Sequence, residues 1–404
     1  SLGTYSFTQA TANGGAYLPC IHCNDNATYV VNFGASTFSK TPTTNFTGIS
    51  AALLKEQVTP AIEDGSAHFQ TMLWSGTGNV SRTINTQAGN STFVPDLLWI
   101  KERNHTNPPN IFDEVRSEGS KNLQPSNSNA ENTEADWGDF VDGGFSITGQ
   151  GQVASMNTSG RNYVGWTWLA GNSTGSSNSN GSITSTVSVN QTAGFSIVSW
   201  TGSGANATIG HGLGAVPSWI VVKNRDSAGN NWVVYHVGQG NTHHSFLDLT
   251  NAATTGDRWQ DTTPNTTVFS VDGTTDVNKS TDDMIAYCWA EVPGFSKFGS
   301  FSSGSSGDPF VECGFTPALI FLKRISAADS WYVQDIARDP NNPAYRYLQW
   351  NDTAVEASNS SVYIDIISNG FLCDLGGIVT TNDDMIYGAW AENPFAGTTP
   401  ATAR

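Results

Sequence analysis

At 404 residues with a net charge of −17, the chain is too long for one ordinary domain and repels phosphate backbones and anionic bilayers, so neither nucleic acid nor membrane is expected as a partner. No apolar run approaches the roughly 18 residues that a membrane-spanning helix needs. Only 13% of residues are charged, yet 13 Trp and 20 Phe supply the aromatic area that disordered chains lack.

In chain order, residues 1–67 read as a short β lead-in. Tyr17-Leu-Pro-Cys-Ile-His-Cys23 and Tyr29-Val-Val-Asn-Phe-Gly34 predict two strands around an Asn-Asp-Asn turn, and Ala51-Ala-Leu-Leu-Lys-Glu56 predicts one or two helical turns. Opening on Ser1 with no signal-peptide pattern behind it, the chain reads as trimmed at its start. Three repeats follow, at 68–170, 194–293 and 295–395, with a tail at 396–404. Residues 171–193, rich in Gly, Ser, Asn and Thr, read as a flexible linker. Only Pro293-Gly294 separates the second and third repeats, which predicts that those two pack together.

Four markers recur in each repeat. The first is an aromatic before a Gly/Ser turn: Trp74-Ser-Gly, Trp200-Thr-Gly and Phe301-Ser-Ser. The second runs from Pro to Lys: Pro95–Lys101, Pro217–Lys223 and Pro317–Lys323. The third is an aromatic strand: Ile111-Phe-Asp, Trp232-Val-Val-Tyr and Trp331-Tyr-Val. The fourth is a closing pair of strands that ends at Trp168, Trp289 or Trp390. Each marker is a short β-branched or aromatic run bounded by turn residues. The pattern predicts an all-β fold of three tandem antiparallel β-sandwich modules. Trp168, Trp289 and Trp390 are expected between the two sheets of their own module, with Trp99, Trp219 and Phe321 also in the core. A lysine ending each second marker reads as a strand turning polar where it leaves the core, a cation blunting an exposed edge.

Candidate chemistry is sparse. Cys20 and Cys23 have half a zinc spacing and no second pair, while Cys288, Cys313 and Cys373 lie in apolar runs as small buried hydrophobes. His211 occurs in the second repeat alone, and the adjacent His243 and His244 point to opposite faces of a strand. Asp282-Asp283 and Asp383-Asp384 occupy equivalent turns, which favours backbone capping over paired-carboxylate catalysis. No metal, cofactor or catalytic residue is expected. Asn-x-Ser/Thr sequons stand at Asn26, Asn45, Asn79, Asn90, Asn104, Asn157, Asn172, Asn180, Asn190, Asn206, Asn265, Asn278, Asn351 and Asn359, candidate glycosylation sites if the chain is extracellular.

Several stretches carry a family resemblance: Asp96-Leu-Leu-Trp-Ile-Lys-Glu-Arg103, Gly210-His-Gly-Leu-Gly-Ala-Val-Pro217, Ile285–Gly299, Phe310–Lys323 and Ala337-Arg-Asp-Pro-Asn-Asn-Pro343. Together they resemble the repeated β-modules of tail-fibre-like virion proteins of marine tailed viruses, and Tyr17–Gly34 resembles the end of a SPRY-type sandwich. The resemblance implies a non-enzymatic virion appendage at the virion surface. Its modules would be β spacers, its partners copies of itself, other appendage subunits and host surface glycans. It implies no catalytic residues. Two alternatives stand beside it: an extracellular N-glycosylated filament or surface-layer subunit assembling by strand addition, and a carbohydrate-binding module.

Overall fold

The computed structural model describes residues 61–116, 120–148, 156–360 and 362–394. The chain divides into two units, Ser1–Gln57 and Val58–Arg404, and every described residue belongs to the second. The expected strands and helix of the lead-in, with Cys20, Cys23, Asn26 and Asn45, lie outside the described residues.

The fold is all-β. The only described helices are single turns at Gly65–Ala67 and Thr275–Asn278. Each repeat builds a large antiparallel sheet from the same four strands. The opening strands are Phe69–Ser75, Phe195–Thr201 and Ser296–Ser302. The closing strands are Asn162–Trp168, Asp283–Ala290 and Asp384–Trp390. The lysine strands are Leu97–Glu102, Pro217–Asn224 and Leu319–Arg324. The fourth strands are Asn110–Asp113, Val233–His236 and Trp331–Asp335. The order is opening, closing, lysine, fourth in all three sheets. The register repeats as well: Trp168 pairs with Phe69 and Leu97, Trp289 with Phe195 and Trp219, and Trp390 with Ser296 and Leu319.

A smaller sheet covers one face of each large one. In the first module it comprises Arg82–Ile84, Gly144–Ile147 and Trp137–Val141, in the second Ala207–Gly210 and Val268–Val271, and in the third Phe310–Glu312, Gly370–Cys373 and Ile364–Ile367. Phe140 and Phe145, Ile209 and Phe269, and Ile366 and Phe371 fill three private cores.

The other face of every large sheet belongs to one shared core. Strand alternation makes this possible, since successive side chains point to opposite faces. In Asp283–Ala290, Met284, Ala286, Cys288 and Ala290 enter the private core, whereas Ile285, Tyr287 and Trp289 enter the shared one. Val164, Trp166 and Trp168 do the same from the first module, and Ile386 and Trp390 from the third. Trp168, Trp289 and Trp390 meet pairwise edge to face, with centroids 5.8, 5.6 and 6.2 Å apart and planes inclined by 70–71°. Edge-to-face contact sets the positive rim of one ring on the negative face of the next.

This corrects the expectation that each terminal indole is wedged between its own two sheets. The three indoles converge on one apolar centre, so the modules are not strung out as independent sandwiches. Volume is traded among the modules there. Trp166 and Tyr287 stand where the third module has Gly388, and a Cβ at Gly388 would lie 2.3 Å from the Phe321 ring. Phe321 and Phe298 fill that space instead. All 13 Trp are buried, as is Phe321.

Residues 171–193 also depart from expectation. They hold the strands Ser176–Asn178 and Ser185–Asn190, which extend the second module's sheet beyond its opening strand. The segment is pinned at its start by Asp96, whose carboxylate accepts the backbone N–H groups of Ala170, Asn172 and Ser173. Composition predicted flexibility because it registers small polar residues, whereas Ser and Thr on an edge strand bond the neighbouring backbone.

Candidate functional site at the module junctions

The three modules meet at three equivalent junctions, and the third joins the last module to the first. At each, a backbone N–H in one module's loop donates to the carbonyl just beyond the next module's lysine strand. The pairs are Glu131 to Arg225 (2.7 Å), Ala253 to Ile325 (3.0 Å) and Glu356 to Arg103 (2.7 Å). The Glu356–Arg103 contact spans 253 residues of sequence. A linear array would have the first two contacts and lack the third, so the modules form a ring of head-to-tail interfaces closed on itself.

The lysines are part of these junctions. Lys101, Lys223 and Lys323 are fully buried. Lys101 Nζ donates to the carbonyls of Asn107 and, across the junction, Thr353. Lys323 Nζ donates to those of Asp329 and, across its junction, Thr250, and Lys223 Nζ donates to that of Asn230. Burial pushes all three ammonium groups down to about 8. The expectation of exposed edge cations is therefore corrected: the neighbouring module's loop covers each strand end, and the ammonium satisfies loop carbonyls that would otherwise be buried without partners.

Deeper in each junction, the last residue of the fourth strand reaches into the next module. Asp113 accepts a 2.6 Å hydrogen bond from the Tyr287 hydroxyl, and Asp335 accepts one of 3.1 Å from Trp166 Nε1. Beside them lie Arg116 and Arg338, both fully buried. Burial disfavours the charge on Arg116, but Asp113, Tyr287 and Glu131 outweigh it and its pKa is raised. Burial similarly makes Tyr287 a far weaker acid than usual.

The second module has His236 in place of Asp113 and Asp335. Its neighbour offers Gly388 where the others offer an indole or a phenol, so no side-chain donor faces it. The Gly238 N–H donates to His236 Nδ1, and Nε2 lies 3.1 Å from the Tyr387 carbonyl. The imidazole is therefore neutral with its proton on Nε2, and burial pushes its pKa down to about 3. A carboxylate there would face a carbonyl with no proton between them.

An ionic triad seals two junctions. Glu131 accepts from both Arg225 and Arg116, and Glu356 from both Arg103 and Arg338. Burial opposes the charge on each glutamate, but the arginines win and both carboxyls sit below their usual range. At the junction of the second and third modules the equivalent positions hold Gln239, Ala253 and Ile325. That seam contains a recess of about 240 Å³ lined by Gly238, Gln239, His243, Ala253, Ile325, Ser326 and Asp384.

The other candidates are taken up by the fold. His211 is buried, with Nε2 3.0 Å from the Asn265 carbonyl and Nδ1 accepting the Leu213 N–H. His244 is buried and His243 lines the recess, so the pair does not converge. Asp282 accepts from Asn224 and Ser227, whereas Asp283 accepts from Thr201 on the opposite face. Asp383 accepts the Thr380 N–H and hydroxyl, and Asp384 accepts from Ser302. Cys288, Cys313 and Cys373 are buried free thiols whose pKa burial raises. Among the described residues no three His, Cys, Asp or Glu side chains form a metal-holding group.

The sequons divide sharply. Asn79, Asn90, Asn104, Asn172, Asn180, Asn206, Asn265 and Asn359 are exposed, and Asn190 is half-buried. Asn157, Asn278 and Asn351 are buried. Asn157 and Asn278 are equivalent clamps on the Trp-x-Gly-x-Gly turn. Asn278 accepts from Trp200 Nε1 and the Ser203 N–H and donates to the Ala205 carbonyl, while Asn157 accepts the Thr77 N–H and donates to the Asn79 carbonyl.

No curated protein matches this chain. A family described as a domain of unknown function (DUF7483) matches residues 64–394 in one span, from the turn before the first opening strand to the end of the third repeat. The span treats as one domain the three repeats that share one core, and the chain belongs to this family.

Proposed function

We propose that the chain is a non-enzymatic structural protein of an extracellular assembly, a tail-fibre-like virion appendage whose three repeats make one rigid body. The observation that carries this reading is the closed ring. Buried Lys, Arg, Asp, Glu and His side chains, the groups an enzyme would use, are engaged in joining modules to one another. Charged residues are only 13% of the chain, a composition suited to high ionic strength where screening is short-ranged. The ring revises the expected spacer role: three modules around one centre make a knob, with loops as its means of contact. Locating the protein by antibody labelling and by mass spectrometry of purified particles tests the reading. Enrichment with capsids is the expected result, and retention in the cytosolic fraction would sink it.

A second reading, an extracellular N-glycosylated filament subunit, is favoured by the eight exposed sequons. Peptide mapping of native material checks it. Glycans at exposed sequons and none at Asn157, Asn278 or Asn351 would support it, and an unmodified intact mass would remove it. A sugar-binding module that stacks saccharides on Trp has little support, because every indole is buried.

A further inference from the structure

We infer that the recess between the second and third modules is a binding subsite for a guanidinium or primary ammonium group carried on an apolar stem. This does not depend on the structural role proposed above. Three equivalent seams allow an internal comparison. At two of them an arginine, Arg103 or Arg225, follows the lysine strand and its guanidinium fills the seam between modules. Its own N–H donates to the carbonyl that opens the closing strand, Asn162 for Arg103 and Asp283 for Arg225. Ile325 makes the same backbone bond, to Asp384, so it stands where the arginine would be.

The substitution takes away the cation and keeps a carboxylate. Arg225 Nη1 lies 3.9 Å from the Asp283 carboxylate. Asp384, the counterpart of Asp283, is exposed, accepts from the Ser302 hydroxyl and has no ion pair among the described residues. Ala253 in place of glutamate and Gln239 in place of arginine remove the remaining bulk and charge. Gln239 is itself engaged, donating to the Val234 carbonyl and accepting from Ser245, so it does not swing in to fill the gap. The result is a recess with a carboxylate at its rim, the Ile325 and Ala253 side chains as an apolar wall, and His243 and Ser326 as further polar groups. A cation on a methylene stem matches it, with the charge on Asp384 and the stem against Ile325.

The test titrates the full chain with N-acetyl-arginine methylamide and with N-acetyl-lysine methylamide, using the neutral N-acetyl-norleucine methylamide for comparison, and reads saturation-transfer NMR. Saturation on the order of millimolar is expected for a cationic probe, as suits one partly exposed ion pair with apolar support. Saturation by either cationic derivative and not by the norleucine derivative would support a protein side chain as the occupant. Asp384→Asn keeps the oxygen that accepts from Ser302 and should weaken binding about three- to fivefold. The double variant Ala253→Glu with Ile325→Arg restores the cross-seam arginine–glutamate pair of the sister seams and should abolish binding with no loss of thermal stability. Equal saturation by the norleucine derivative, no saturation by either cation, or cation binding unchanged in Asp384→Asn would overturn the inference.

Discussion

Lys323 shows how much one buried side chain carries. Its ammonium joins a loop of its own module to a loop of the preceding one through the Asp329 and Thr250 carbonyls. Lys323→Met leaves both carbonyls without that donor and should cost about 1–3 kcal/mol at pH 7, read from the urea midpoint. The lysines also set a pH dependence. Their folded-state pKa of about 8 lies below the ordinary 10.5, so between these values the unfolded chain binds more protons. The lysines' contribution to stability should therefore grow as pH rises from about 8 to 10. Cys288, Cys313, Cys373 and Tyr287 contribute in the opposite direction, because their raised pKa leaves the unfolded chain with fewer protons. The lysine effect is therefore read as the difference between the unaltered chain and Lys323→Met. His236 gives the opposite kind of test. His236→Asp places a carboxylate against the Tyr387 carbonyl where an imidazole N–H now lies, and should lower the melting temperature more than His236→Asn does.

Among the elements, the fourth strands and the loops that follow them hold the ring shut. Glu356 accepts from an arginine of its own module and from one of the first module. Glu356→Ala leaves the fully buried Arg338 with Asp335 as its one carboxylate among the described residues, beside the Val333 carbonyl, and about 2–4 kcal/mol of destabilisation is expected after allowing for the partial exposure of Arg103. Native-state hydrogen exchange should show the loss first in the loops around Arg103 and Glu356. The closing strands also explain what the sequence disclosed and what it concealed. Short β-branched and aromatic runs between turn residues identified strands, and their repetition identified three modules. Yet Met284-Ile-Ala-Tyr-Cys-Trp-Ala290 is apolar on both faces, where a sandwich strand with one solvated face would alternate. That unbroken run was the sign of a second buried surface. The Asp113-x-x-Arg116 and Asp335-x-x-Arg338 spacings, repeated in two modules, were the sign of an interface. The recess left no such mark, because it arises from what Gln239, Ala253 and Ile325 lack and emerges only when the three seams are compared.

At the scale of the whole molecule, three modules that would each leave one sheet face bare cover those faces with one another. Fully burying a large apolar side chain is worth about 1.5–3 kcal/mol, so a shared core built on Trp99, Trp168, Trp219, Trp289 and Trp390 couples the stability of all three modules. The most direct test is native-state hydrogen exchange on the full chain carrying Trp390→Ala, a change expected to cost about 3–5 kcal/mol. Amides of all three closing strands, Asn162–Trp168, Asp283–Ala290 and Asp384–Trp390, should lose protection together and by a similar factor. Loss confined to the third module, with the first two at their original protection, would contradict a common core.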